Sequence, residues 1–203
     1  MQVATIKKAR SIPTSLIYEE LNGTPVYYRG YEAVLKKLVN QESIMGSSEI
    51  QAYIIMLIQD HLRSQLPKKY TILTGELGLH LGAGQNFAAD ISIYNKGQFL
   101  SQGLSPKYTQ KIPLAIVEVD TKANFSDFSE AEYFQLKTEK LLQYGVNQIV
   151  WFFTKSQKVM ICKKGEKQWI ISDWTENIEI LDANFSLKTL LDDDGIDMEN
   201  IKY

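Results

Sequence analysis

Residues 113–125 read PLAIVEVDTKANF, and six of the first seven are apolar. So dense an apolar run, rich in β-branched residues, reads as a strand passing through a core. It nevertheless ends in Glu118, Asp120 and Lys122. Side chains alternate along a strand, so Leu114, Ile116, Glu118 and Asp120 are expected on one face and Ala115, Val117 and Val119 on the other. Both acids then emerge together at the C-terminal end of the strand.

The surrounding segments alternate between strand and helix patterns, which predicts one α/β domain built on a mixed sheet. After the central strand, a helix starting at Ser126 or Ser129 runs to Tyr144 and is closed by Gly145. Strands are expected at 148–154 and 158–163, with a third at 168–172. Before it, Asn22-Gly23 marks a hairpin turn within 15–28, and a short helix is expected at 31–39. Ser47 or Ser48 can cap a long amphipathic helix in which Ile50, Ile54, Leu57, Ile58, His61 and Leu62 recur at helical spacing. Residues 70–94 then alternate as a hairpin, with Leu77, Leu79 and Leu81 on one face and a turn at 82–86. Residues 96–111 read as a loop. Residues 1–14 and 192–203 are expected to be peripheral, the latter with the acidic run Asp192, Asp193, Asp194 in solvent.

Composition narrows the chemistry. The chain has 203 residues, a net charge of −2, two histidines and one cysteine, Cys162. A lone cysteine excludes an internal disulfide framework, and no run approaches the ~20 apolar residues that span a bilayer. The expectation is a cytoplasmic protein without a membrane segment. The slight acidity gives no global basic field, so a nucleic-acid surface would have to be a local patch, drawn from Lys7, Lys8 and Arg10, from Lys68 and Lys69, or from the lysines at 155–167.

Asp90 interrupts another apolar strand, AADISIY. If the hairpin closes around 83–85, Glu76 and His80 share its sheet face. Carboxylates converging at strand ends repel one another and resist desolvation, and a divalent cation relieves both. Oxygen donors suit Mg²⁺ or Mn²⁺, whereas scarce His and Cys argue against zinc. In FQLKTEKLLQY, Lys137, Lys140 and Tyr144 lie along one helical stripe, with Phe134 and Leu141 on an apolar one. A lysine here could reach back over the strand end. The GAG at 82–84 lacks the following Lys-Ser/Thr of a phosphate loop and reads as a turn.

Taken in order, YEELNG, GSSEIQAYI, GELGLHLG, AADISIY, IVEVDT and KLLQYGVNQIVWF resemble the Uma-type restriction endonuclease family of the PD-(D/E)XK nuclease superfamily, over residues 18–161. The resemblance implies a restriction-endonuclease-like mixed β-sheet flanked by helices, and a metal-dependent DNA endonuclease that often works as a homodimer. It makes Asp90 and Glu118 ligands of Mg²⁺ or Mn²⁺, with the Val119 carbonyl a third, and Lys140 the catalytic lysine, moved from strand to helix. Glu76 matches a recurring acid of the hairpin, and Glu49 falls where the superfamily often has a polar helix residue. The sequence departs from the pattern at Ala89, where proline is usual, and at Asp120, where the superfamily's lysine is usual. A second register remains open, in which Asp120 is the ligand and Lys122 the catalytic lysine. So do a nuclease-like domain that binds DNA or protein without cutting, and a metal-dependent phosphatase using the same acids.

Overall fold

The structure, a computed structural model, describes residues 12–125 and 129–201. Lys7, Lys8, Arg10 and Ser126 lie outside the described residues.

Strands β1 (Ile17–Leu21) and β2 (Thr24–Tyr27) form the first hairpin. Its turn is Asn22-Gly23, with φ of 53° and 77°. Two successive positive φ values match the twist of a two-residue hairpin, which is why Asn-Gly occupies the turn. Helices α1 (Tyr31–Leu35), α2 (Glu42–Met45) and α3 (Glu49–Gln65) follow. The first stops short of the expected residue 39 because Lys37 adopts φ 59°. The Ser48 hydroxyl accepts from the Gln51 N–H and caps α3.

The long hairpin of β3 (Tyr70–Gly82) and β4 (Gln85–Asn95) turns at Ala83-Gly84. A Cβ on Gly84 would sit 2.7 Å from the Gly23 nitrogen, so this turn needs glycine to pack against the first hairpin. The segment expected as a loop begins with helix α4 (Lys96–Ser101), which Asn95 caps through the Gln98 N–H. Then come β5 (Ala115–Val119), α5 (Glu130–Tyr144), β6 (Gln148–Phe153), β7 (Lys158–Lys163), β8 (Ile170–Asp173), the small hairpin β9 (Ile178–Ile180) and β10 (Ala183–Phe185), and α6 (Leu187–Asp193). Ser129 and Glu132 form a reciprocal capping box at the start of α5, and Gly145 closes it in the left-handed region.

The main sheet has eight strands in the order β2-β1-β4-β5-β6-β7-β8, with β3 pairing to β4. It is mixed: β5 and β6 are parallel and joined through α5, while the other pairs are antiparallel. This is the α/β sheet flanked by helices that the alternation of segments predicts. The alternation within β5 divides the core. Ala115, Val117 and Val119 pack with Ile54, Ile58 and Leu62 of α3, and with Ile178, Ile180 and Leu191. Ile116 packs on the other side with Trp151 and with Tyr133, Phe134 and Leu141 of α5. The C-terminal residues expected to be peripheral contribute to the first cluster through Ile196, Met198 and Ile201, while Asp192, Asp193 and Asp194 are exposed.

Candidate active site

The register that pairs Ile91 with Val117 sets Asp90 and Glu118 at the next position of the β4–β5 ladder. Both are buried, at 5% and 2% exposure. Asp90 takes the place of a backbone acceptor: its Oδ2 accepts the Val119 N–H at 2.8 Å. At this residue β4 also passes from one half of the core to the other, since Ala89 packs on the α5 side and Ile91 on the α3 side.

Glu118 meets a lysine, and it is Lys137, expected on the same stripe as Lys140. The Lys137 Nζ lies 2.9 Å from Glu118 Oε1, 2.7 Å from Glu19 Oε1 and 2.9 Å from the Ala88 carbonyl. Its hydrogen bonds go to Glu19 and Ala88, and its ion pair is the one polar contact of the buried Glu118 Oε1 among the described residues. Lys140 stands almost one turn later. Because α5 runs back along the sheet from the end of β5, three residues carry it ~4.5 Å further from that end.

Glu19 holds this lysine in place. Its carboxylate also accepts the Ala88 N–H at 2.9 Å and the Tyr133 hydroxyl at 2.7 Å. From α3, Gln51 donates to the Val119 carbonyl at 2.8 Å and approaches Asp90 Oδ2 at 3.5 Å. Glu49, the expected polar residue of this helix, is exposed. Two residues along a helix rotate ~200°, so Glu49 and Gln51 cannot share a face.

The other expected residues bond to partners outside this pair. Asp120 has φ 55°, which breaks the strand alternation that would have put it beside Glu118. Its carboxylate instead caps the end of β6, accepting the Thr154 N–H at 2.8 Å and the Thr154 hydroxyl at 2.5 Å. Lys122 donates to the Met45 carbonyl at 2.9 Å and pairs with Glu76. Glu76 comes near Asp90 through a bulge: Thr74 pairs with Ile91 and Leu77 with Ala89, so Gly75 and Glu76 together face Asp90. Both acids line a groove of about 270 Å³ with Ser47 and Thr74. His80 is engaged by Asn86 at 2.6 Å.

Burial sets the protonation of the acids. It pushes Asp90 up to about 6, against the pull of the Val119 N–H and Lys137. It pushes Glu118 up to about 8, with Lys137 again opposing. Burial draws the Lys137 ammonium down, but the Glu118 and Glu19 carboxylates outweigh it, and the net shift is upward. Lys122 is lowered by burial.

A divalent cation fits these residues. The Lys137 ammonium lies within 2.9 Å of two buried carboxyl groups, Glu19 and Glu118, and the buried Asp90 stands opposite Glu118 on the ladder, so hard oxygen donors are gathered here. Glu118 Oε1 has no polar contact besides Lys137 among the described residues, and the available donors are hard oxygens. Among the described residues no three His, Cys, Asp or Glu side chains group as a metal centre. An ion here would be held by no more than Asp90, Glu118 and the Val119 carbonyl, with water completing its shell, as Mg²⁺ tolerates.

Solved structures give a comparison. A chain from Anabaena variabilis, described as "a putative nuclease belonging to DUF820", superposes with a TM-score of 0.58 over 86% of this chain and 89% of that one, at 13% identity. The two chains share a fold. No family model matches the sequence, and no curated protein matches it. Among the described residues no helix is long and apolar enough to cross a membrane.

Proposed function

We propose that the chain is a metal-dependent DNA endonuclease of the PD-(D/E)XK type, related to the Uma-type family. The observation that carries this reading is the buried Asp90–Glu118 pair across β4 and β5, with Lys137 against Glu118. Asp90, Glu118 and the Val119 carbonyl are the donors that would hold Mg²⁺ or Mn²⁺, which when bound supplies Lewis-acid chemistry at a phosphodiester. Lys137 provides a fixed positive charge beside the site, where a phosphate gains negative charge during hydrolysis. Glu19 and the Ala88 carbonyl immobilise its ammonium, so that charge is preorganised. Gln51 orients Asp90 and the Val119 carbonyl, and the surrounding burial keeps bulk water away.

The test uses supercoiled plasmid with Mg²⁺, Mn²⁺ or EDTA, and the variants Glu118→Ala, Lys137→Gln and Lys140→Ala. The expected result is metal-dependent nicking that is lost in the first two and kept in the third. Metal-independent nicking, or full activity in folded Glu118→Ala, sinks the assignment. A folded wild type that binds DNA but cuts nothing under any metal points to the non-cutting domain instead.

A further inference from the structure

Beside the candidate active site lies a second groove of about 400 Å³, at the C-terminal ends of β5 and β6. Arg29 and Lys155 stand on its rim, both exposed, and Phe134 and Phe153 form its apolar wall. Among the described residues neither Arg29 nor Lys155 has a carboxylate partner. Arg29 is nonetheless aimed: its guanidinium donates to the Thr121 carbonyl at 3.1 Å and lies 5.8 Å from the Phe125 ring centroid. Two acids also line the groove. Asp120 is turned onto Thr154, while Glu130 is exposed, so the open charge is two cations against one acid.

The aromatic wall is rigid. Phe134 and Phe153 meet edge to face at 4.9 Å and 76°, and Phe153 is parallel to the buried Trp151 within 2°. Two residues connect this groove to the acids. Lys122 lines it and pairs with Glu76 in the Asp90 groove, and Gln51 lines it and touches both Asp90 and Val119. A strand whose phosphate lay at Asp90 would therefore place its neighbouring nucleotide here.

The size and the wall select the form of that nucleotide. The volume is near the lower end of the ~300–1,000 Å³ of small-ligand pockets, a size that suits one nucleotide. Bases inside a duplex have both faces covered by their neighbours, whereas an unstacked base can offer its face to an aromatic side chain. We propose that this groove is the subsite for a single unpaired nucleotide next to the bond that is cut, with Arg29 and Lys155 on its phosphates and Phe153 against its base. The substrate class is then DNA that is single-stranded or locally unpaired at the cleavage point. This rests on the nuclease reading only for the phrase "bond that is cut"; the binding site stands on the groove itself.

The experiment separates the two. Fluorescence anisotropy in EDTA measures binding of a labelled single-stranded oligonucleotide and of the same sequence in a duplex. Cleavage of each is measured separately in Mg²⁺. The single strand is expected to bind at least tenfold more tightly. Phe153→Leu weakens it by roughly tenfold, as loss of one stacking contact does, without changing the salt dependence. Arg29→Ala combined with Lys155→Ala weakens it and reduces the slope of log K against log salt by ~1.4. These two rim residues are exposed, so their substitution tests the subsite without disturbing the core. Equal or tighter duplex binding, or single-strand binding unmoved by both sets of variants, overturns the proposal even if the protein cuts. Single-strand preference that depends on these residues supports the subsite even if nothing is cut, and in that case it is the nuclease reading that fails.

Discussion

The two halves of the core differ in the charge they bury. On the α3 side the sheet meets Ile54, Ile58, Leu62, Ile91, Val117 and Val150, with Phe152, Trp174 and Phe185 among them, an interior of apolar side chains. On the α5 side it meets Phe87, Tyr133, Phe134 and Trp151, and among those rings it buries Glu19, Lys137 and Glu118 at 2% exposure or less. The two halves share strands and a similar depth, so position in the sheet does not explain the charges. Buried ion clusters seldom stabilise a fold relative to well-packed apolar residues, and this cluster is consistent with chemistry, not stability, being its purpose.

That contrast can be broken experimentally. The largest effect is expected from Lys137→Met, which leaves two buried carboxyl groups without their ammonium and should destabilise by about 3–5 kcal/mol in urea denaturation. Adding Glu19→Gln and Glu118→Gln should restore more than half of the loss. On the α3 side Ile58→Ala should lose about 2–5 kcal/mol by cavity formation, with no second substitution able to restore it by charge removal. If the triple variant stays as unstable as Lys137→Met alone, the two halves do not differ in the way described.

Acidity should distinguish them next. Glu118 and Asp90 have folded pKa values raised to about 8 and about 6, above their unfolded values, so the folded state binds more protons between about pH 4.5 and 8. Stability of the metal-free protein should therefore fall as pH rises through that window, and Glu118→Gln should flatten the curve in thermal melts. Mg²⁺ or Mn²⁺ should raise Tm more at pH 8 than at pH 5.5, because binding must displace those protons. A melting temperature indifferent to both pH and metal would remove the case for a cation site.

A smaller effect separates Asp120 from Glu118. Asp120→Ala deletes two hydrogen bonds to Thr154 and should destabilise by about 1–2 kcal/mol, while the metal-induced rise in Tm persists. The smallest belongs to Lys140→Ala, expected to change stability by no more than about 0.5 kcal/mol. A loss comparable with that of Lys137→Met would return the lysine assignment to Lys140.

Much of this architecture is legible from residue patterns, because strand alternation and helical periodicity are local. The segments at 115–119, 130–144 and 148–163, the Asn22-Gly23 turn and the capped α3 all follow from such signals. Asp90 and Glu118 are visible for the same reason, as acids that interrupt apolar strands. The lysine that meets Glu118 lies almost one turn before the expected Lys140, and its signal is present: Lys137 stands between Phe134 and Leu141 on the stripe that faces the core. Glu19 carries a similar sign, since it shares a strand face with the buried Leu21, and Gln51 lies one turn before Ile54 and two before Ile58. Each is a polar residue at an apolar position, which identifies burial but not the partner. Asp120 is misplaced because alternation assumes an extended backbone, and a left-handed residue at the strand end redirects its side chain.

The link between Lys137 and Glu19 spans 118 residues of chain. At ~5–20 residues per second, Glu19 joins the growing chain roughly 6–24 s before the lysine that pairs with it. Until then the acids have no ammonium to face, and the first strand has no charge partner that favours drawing Glu19 into the interior. A growing chain that has not reached Lys137 thus cannot hold this ion cluster at all, so the order of synthesis keeps the candidate site from forming until α5 has been made.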